Sequence, residues 1–398
     1  MEYKYRSNTL ERLGLKSWLN AKNWSTEYGG NWIDDRVLES MNEVAKTFVN
    51  MYDLYTRASQ RIAELSKADN AYVSCGAAAA IELVVASCIA NDNLSAWKAL
   101  PDTSAANNEV VMPMGHIISY HNAWKSCGAK IVTYGLADTL DNITFEEIES
   151  AITEKTCCLG YVESYNVLPR GRLLITDVAK VAKKYDLPLV VDAAAMLPPV
   201  SNLHNYFDLG ADVVVFSGGK AIKAPNNTGF ALGKGAKGKN LIDNLFKFSF
   251  PNHGFGRSFK VSKEQIVGLI VALEIFIKEG DKYYDHQMKI ANKIAQELAH
   301  IPNLTTTVIP NDENYHEHPA MPLVPRVKIE WDPEQVKLTP DELDQAAAEN
   351  DPPVALRGSY YYQYYTNKPW RLIDTYYLRE GEEQIIIDSL RRIFSSYS

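Results

Sequence analysis

What the chain lacks narrows the field first. No stretch approaches the ~18 uncharged apolar residues of a membrane span, and Met1-Glu2-Tyr3-Lys4-Tyr5-Arg6 has no apolar core of a secretory signal. The expectation is a cytoplasmic protein with no membrane partner. A basic excess is missing too: 41 Lys and Arg stand against 49 Asp and Glu, a formal charge of −8. That balance, with no cluster of Arg, Lys and aromatics, argues against nucleic acid as a partner. Cysteine is scarce and unpatterned. Cys75, Cys88, Cys127, Cys157 and Cys158 include no CxxC spacing and mostly sit in apolar runs, so reduced, buried thiols are expected rather than disulfides. Repeats and low-complexity tracts are absent. With 46% apolar and 23% charged residues, the composition excludes disorder, collagen and coiled coil as the main architecture.

What is present reads as a layered α/β protein. At roughly 150 residues per domain, a chain of 398 residues suggests two domains, or one large domain with an appendage. From about Ser74 to Lys234, residues 76–90, 117–126, 144–152 and 175–185 have helical character. Between them, 109–113, 130–134, 157–163, 187–192, 211–216 and 229–232 form short Val/Ile/Leu-rich runs with strand character. Such alternation implies a mostly parallel sheet, of the seven-stranded type, with helices on both faces. Ligands of such sheets bind beyond the carboxyl ends of the strands. After Gly233 the texture changes: helices at 263–278 and 284–300, strands at 305–309 and 325–331, helices at 340–349 and 381–394. The expected division is an N-terminal segment (1–45), a large domain (46–280) and a smaller C-terminal α+β domain (281–398), with loops at 311–322 and 360–369.

Two familiar-looking motifs carry little. Gly233-Lys-Gly235-Ala-Lys-Gly238 satisfies GxGxxG, and residues 233–239 satisfy GxxxxGK. However, Asn240 replaces the Ser or Thr that a nucleotide loop places on Mg²⁺, and no strand ends in an acid ~20 residues later. A basic surface turn is the better reading. His316-Glu-His318 lies in a polar, proline-flanked loop with no third ligand nearby in sequence, so no metal is expected. Cys157 and Cys158 alternate across a strand and are read as core.

The chemistry concentrates at two strand ends. Leu189-Val-Val-Asp192 is an aliphatic strand ending in a carboxylate, and Val213-Val-Val-Phe-Ser217-Gly-Gly-Lys220 runs from a buried strand into a glycine turn bearing an amine. One crossover separates them, so both face the same crevice. A buried Asp needs a partner, and a lysine above an apolar sheet suits Schiff-base formation. Pyridoxal 5′-phosphate (PLP) uses such a pair: lysine for its aldehyde, carboxylate for its ring nitrogen. Its phosphate needs backbone N–H groups at a helix start, which Ser74-Cys75-Gly76-Ala77-Ala78 offers. Ser217 could add a hydroxyl.

These motifs resemble the fold-type I PLP enzymes of the selenocysteine synthase (seryl-tRNA selenium transferase) family, most closely its D-glucosaminate-6-phosphate ammonia-lyase-like branch. The resemblance is carried by Glu11-Arg-Leu-Gly-Leu-Lys16, Tyr28-Gly-Gly-Asn31, residues 71–79, Gly115-His116, residues 191–199, Phe216-Ser-Gly-Gly-Lys220, Pro225-Asn-Asn-Thr-Gly229 and residues 351–358. It implies the fold-type I transferase fold and assigns roles by position. Lys220 would bind PLP and later move the α-proton; Asp192 would pair with the ring nitrogen. His116 would stack on the ring and Ala194 lie against its other face. Ser74, Gly76, Ala77 and Ser217 would hold the phosphate, with Thr228 and Gly229 reaching a neighbouring subunit's site. Arg357 would clamp the substrate carboxylate, and Arg257 is a second candidate for an anionic group. A homo-oligomer, dimer or higher, is implied, with a small amino acid as substrate.

The expected reaction is α-proton abstraction and β-elimination to a 2-oxo acid and ammonia. Aldolase, racemase and β-replacement chemistry share the same residues, and a non-catalytic scaffold is the alternative from another class. Selenium transfer is disfavoured because this acidic chain shows no tRNA surface. Asn20-Ala21-Lys22-Asn23-Trp24 stands where the branch has Asn-Ala-Ser-Gly-Thr, and His116-Ile117-Ile118 where it has His-Arg-Asn. Those departures argue against a sugar-phosphate substrate. Residues 360–365, Tyr-Tyr-Tyr-Gln-Tyr-Tyr, read as a lid, a substrate wall or a subunit contact.

Overall fold

The structure, a computed structural model, describes residues 4–135, 143–164, 174–310, 324–358 and 368–397. In chain order the strands are β1 (Leu19–Asn20), β2 (Asn70–Ser74), β3 (Glu109–Pro113), β4 (Lys130–Tyr134), β5 (Thr156–Val162) and β6 (Leu189–Asp192). They continue with β7 (Val213–Ser217), β8 (Gly229–Gly233), β9 (Leu304–Ile309), β10 (Arg326–Trp331), β11 (Val354–Ala355) and β12 (Trp370–Asp374). The described residues fall into two compact units. Ile33 to Lys278 form one, and those up to Trp32 and from Glu279 onward form the other.

The larger unit is a seven-stranded sheet in the order β2-β8-β7-β6-β5-β3-β4. The pairs β3–β4, β3–β5, β5–β6 and β6–β7 are parallel. β8 runs against both its neighbours, β2 and β7. Six strands therefore share a direction and one is reversed. Every residue of β3, β5, β6 and β8 is buried, which explains the unbroken aliphatic runs: helices cover both faces. The helix Ala77–Ala90 is apolar almost all round because it lies inside this unit.

The GxGxxG stretch proves to be packing rather than phosphate chemistry. A Cβ on Gly238 would stand 2.0 Å from the Asp212 carbonyl oxygen, and one on Gly233 would stand 2.3 Å from the Gly238 carbonyl oxygen. The glycines let the helix Gly235–Phe248 lie flat on its strands, and Lys239 pairs with Asp243 at 2.6 Å. All five cysteines are free, and burial pushes the Cys127 thiol up to about 12.

The smaller unit pairs the antiparallel sheet β12-β10-β9 with the helices Pro340–Ala348 and Glu382–Ser395. Its core includes Ile294, Leu298, Val327, Trp331 and Phe394, with Leu19 of β1 buried among them. β1 pairs in parallel with β11.

Two expectations need correction. The separate helices at 263–278 and 284–300 are one helix, Lys263–Leu298, of 36 residues. Only Gly280 interrupts helix-forming residues at the join, and a single glycine costs about 1 kcal/mol, too little to end a helix packed on both sides of it. The helix expected at 117–126 shrinks to a 3₁₀ turn, Met114–His116, and a short helix, Asn122–Lys125. Met114, Ile117 and Tyr120 are exposed there, so no apolar stripe is buried to sustain a longer helix. His316–His318 and Tyr360–Tyr365 lie outside the described residues. Among those described, no helix is long and apolar enough to cross a membrane, and no group of three or more His, Cys, Asp or Glu is placed to hold a metal.

Candidate active site

Because β2, β3, β5, β6 and β7 point the same way, Ser74, Pro113, Val162, Asp192 and Ser217 all arrive at one edge of the sheet. The reversed β8 starts at that edge, with Gly229 paired to Ser74 on one side and Ser217 on the other. Sequence, strand direction and register thus converge the motif residues of the larger unit.

The turn after β2 is shaped by its backbone. Gly76 has φ +129 and ψ 162, a conformation that a Cβ disfavours, and a Cβ built there would have no atom within 4 Å. It leads into Ala77–Ala90, a helix with no capping side chain at its start. The first-turn N–H groups therefore take no side-chain cap, and the positive end of that helix, with open space beside Gly76, suits an anion. Gly229 lies directly against this turn: its Cβ would be 2.3 Å from the Gly76 carbonyl carbon and 2.4 Å from the Ala77 nitrogen. Ser74 is fully buried and its hydroxyl donates to the Gly76 carbonyl at 2.8 Å, so it braces the turn. The Ser217 hydroxyl is half-buried and makes no hydrogen bond among the described residues.

The lysine turn is equally tight. The Gly218 N–H donates to Thr228 at 2.9 Å, and Ala224 donates back to Gly218 at 2.9 Å. A Cβ on Gly218 would meet the Thr228 hydroxyl at 2.3 Å, and one on Gly219 would meet the Asn226 carbonyl at 2.4 Å. Thr228 itself is fully buried and donates to Pro225 at 2.7 Å, a bracing role within its own chain. The turn, closed by the Lys223 N–H on the Lys220 carbonyl at 2.8 Å, holds Lys220 half-buried, its side chain making no hydrogen bond or ion pair among the described residues. Its electrostatic partner is Asp192. That carboxyl is 6% exposed and accepts one N–H, from the half-buried Ala194, at 3.0 Å. Burial raises its pKa above the ordinary carboxylate value, while the Ala194 N–H and the Lys220 charge act in the opposite direction.

His116 is fixed by a break in the sheet. The register between β3 and β5 ends at Val111 and Leu159. Further along, the Val162 N–H donates at 3.0 Å to Nδ1 of His116. That nitrogen's lone pair is engaged, so the neutral ring carries its proton on Nε2. The ring stands edge-on to Tyr161, centroids 4.6 Å apart, and the residue is 1% exposed.

One residue at this edge was not singled out from the sequence. Glu163, immediately past β5, is 1% exposed and donates its backbone N–H to the Asp192 carbonyl at 2.8 Å. A single Glu after a strand carries no spacing signal that could have flagged it. Arg257 is half-buried, its guanidinium 5.5 Å from the centre of the Phe250 ring. Arg357 belongs to the smaller unit, 3.5 Å from Asp374, which also takes Arg326 Nε at 3.2 Å.

Comparison with known proteins identifies the lineage. Residues 35–318 match the aminotransferase class-V family. The chain belongs to that family. Class-V members are fold-type I, PLP-dependent enzymes. Among curated relatives of this class-V chain, the D-glucosaminate-6-phosphate ammonia lyase of Salmonella typhimurium (strain 14028s / SGSC 2262) is 34% identical over 271 residues, covering 67% of this chain and 69% of the relative. The 5′-C-glycyluridine monooxygenase-decarboxylase of a Streptomyces species is 29% identical over 315 residues, 77% of this chain and 75% of the relative. The L-seryl-tRNA(Sec) selenium transferase of Proteus mirabilis (strain HI4320) is 26% identical over 207 residues, 48% of this chain and 42% of that one. A solved structure of a D-glucosaminate-6-phosphate ammonia lyase superposes with a TM-score of 0.80 at 26% identity, covering 98% of this chain and 99% of that one.

The residues present fit the family's cofactor. A buried carboxyl with one N–H donor has acceptor capacity left for a protonated ring nitrogen, an uncapped helix start beside open space suits a phosphate, and a lysine whose amine makes no hydrogen bond or ion pair among the described residues suits an aldehyde.

Proposed function

We propose that this class-V enzyme is an amino-acid lyase that binds PLP through Lys220, removes the α-proton and a β-substituent, and releases a 2-oxo acid and ammonia. The observation that carries the reading is the pairing, at one sheet edge, of the half-buried Lys220 with the buried Asp192, whose pKa is already raised. The 34% identity to a named ammonia lyase supports the reaction class.

When bound, PLP supplies an electron sink for the charge left at the α-carbon once its proton is gone. Lys220 Nζ takes that proton, and its position on a tight glycine turn limits where the amine can reach. Asp192 keeps the ring nitrogen protonated, and the cation in turn relieves the carboxylate's burial. The N–H groups at Gly76 and Ala77 and the Ser217 hydroxyl hold the phosphate, with Gly229 making room for the turn. His116 and Ala194 bound the ring's two faces. Arg357 takes the substrate carboxylate and Arg257 a further anionic group. Thr228 and Ser74 brace these turns through their own hydrogen bonds. The working assembly is a homo-oligomer, dimer or larger. The substrate is an amino acid other than D-glucosaminate 6-phosphate, because Ile117 and Ile118 follow His116 where a sugar phosphate calls for polar and cationic groups.

The test is PLP uptake followed by a screen of β-substituted D- and L-amino acids for ammonia release. Uptake with ammonia and 2-oxo acid from at least one of them supports the lyase; uptake with turnover but no ammonia refutes it. The similarity to a monooxygenase-decarboxylase over 77% of the chain supports a second reading, oxidative loss of the substrate's carboxylate. Carbon dioxide release that depends on oxygen separates the two.

A further inference from the structure

Elimination needs two proton movements. One proton leaves the α-carbon, and the departing β-substituent must gain one if it is a poor leaving group such as hydroxide. Lys220 serves the first. In the larger unit the other titratable groups at the edge include, among the described residues, Asp192, His116 and Glu163, beside the Cys75 thiol. Asp192 is committed to the ring nitrogen in the proposed function, and His116 uses Nδ1 to terminate the β5 ladder.

Glu163 fits the second movement by position. Its backbone N–H bonds the Asp192 carbonyl at 2.8 Å, which ties the residue to the strand end carrying the cofactor carboxylate. The residue before it, Val162, anchors His116 at 3.0 Å. Two residues earlier is Tyr161, whose ring touches His116, so the alternation of an extended chain puts Glu163 on the His116 face. At 1% exposed, its carboxyl is enclosed at the site edge rather than directed into bulk water.

We infer that Glu163 is a further catalytic residue, the general acid that protonates the departing β-substituent. The inference rests on the lyase reading. In the step, the Cα–H electron pair becomes the new Cα=Cβ bond as Lys220 Nζ takes the proton. The Cβ–O electron pair leaves with oxygen, and the oxygen takes the Glu163 carboxyl proton to depart as water. The unsaturated amine then adds water to give 2-oxo acid and ammonia, and proton exchange through solvent resets Lys220 and Glu163. No oxidant or reductant is required.

The two proton movements can be read separately. Exchange of the α-hydrogen for deuterium in D₂O needs Lys220 but no general acid; release of ammonia needs both. The probes are D-serine, L-serine and the β-substituted amino acids that release ammonia in the screen above, each followed by NMR for exchange and by a coupled assay for ammonia, in wild type, Glu163→Gln and Glu163→Asp. The expected result is that Glu163→Gln keeps PLP affinity and α-exchange within about threefold while ammonia release falls roughly 10²–10⁴-fold. Glu163→Asp, which keeps the acid, regains part of that loss. Exchange and ammonia release falling together in Glu163→Gln would assign Glu163 a structural role and overturn the inference, as would ammonia release that is unchanged. Wild type that exchanges no α-hydrogen on any probe would instead overturn the lyase reading and this inference with it.

Discussion

Replacing Gly229 by alanine is the most direct probe of how the phosphate cradle is built. The new Cβ would lie 2.3 Å from the Gly76 carbonyl carbon and 2.4 Å from the Ala77 nitrogen, against an ordinary contact of about 3.5 Å. Both neighbours are backbone, so no side chain can swing aside. Nor can β8 shift, because Gly229 is paired with Ser74 and Ser217 at once. The turn must therefore retreat by about 1 Å, at ~1–3 kcal/mol for an overpacked site. At ~2–4 °C per kcal/mol for a domain of this size, the melting temperature should fall by roughly 2–12 °C. The displaced N–H groups are those proposed to hold the phosphate, so PLP affinity should fall about 10- to 100-fold, or ~1.4–2.8 kcal/mol. Scanning fluorimetry and a PLP titration measure the two effects. Gly76→Ala separates sterics from backbone: its Cβ meets nothing within 4 Å, but φ +129 is costly for alanine, of order 1–3 kcal/mol. A Gly229→Ala protein that binds PLP within about twofold of wild type and melts within about 1 °C of it would refute the proposed cradle.

Further outcomes follow from the same geometry. Burial raises the Asp192 pKa, so the apoprotein loses stability as pH rises from the unfolded carboxylate value of about 3.9 up through the higher folded one. Apo Asp192→Asn should accordingly melt above apo wild type at neutral pH, the gap closing on acidification, whereas wild type should gain more from added PLP; melting curves against pH decide this. Thr228→Val keeps the shape but removes one of the two donors to the Pro225 carbonyl, leaving the Thr228 N–H at 3.0 Å, which should destabilise by about 0.5–1.5 kcal/mol in denaturant unfolding. Gly238→Ala, facing a carbonyl oxygen at 2.0 Å, should destabilise the protein, while ATP should leave the wild-type melting temperature unmoved; an ATP-induced rise abolished by Lys239→Ala would restore a nucleotide site.

Much of the larger unit was legible because its physics is local. The Val213-Val-Val run and Leu189-Val-Val-Asp192 need no tertiary information to read as buried strands, and the same unbroken burial gives β5 its apolar character. The reversal of β8 was not legible: Gly229-Phe-Ala-Leu-Gly233 is equally apolar whichever way it runs. β12 was missed because Arg371 and Asp374 interrupt its apolar residues. Both are buried, but Asp344 pairs with the first at 2.9 Å and Arg326 with the second at 3.2 Å. At the site, Asp192 and Lys220 could be named from strand-end position alone. The anchoring of His116 could not, since it depends on where β3 stops pairing with β5. Glu163 and the bracing roles of Ser74 and Thr228 likewise depend on contacts made across the sheet edge.

The central claim is that Lys220 carries the cofactor. It is tested by the absorption spectrum of purified protein with added PLP, recorded beside Lys220→Ala, followed by borohydride reduction and mass mapping of the adduct. The account predicts a visible band in wild type that borohydride bleaches, a pyridoxyl adduct on Lys220, and no corresponding band in the variant. A protein that takes up no PLP, or an adduct on a different lysine, would contradict it.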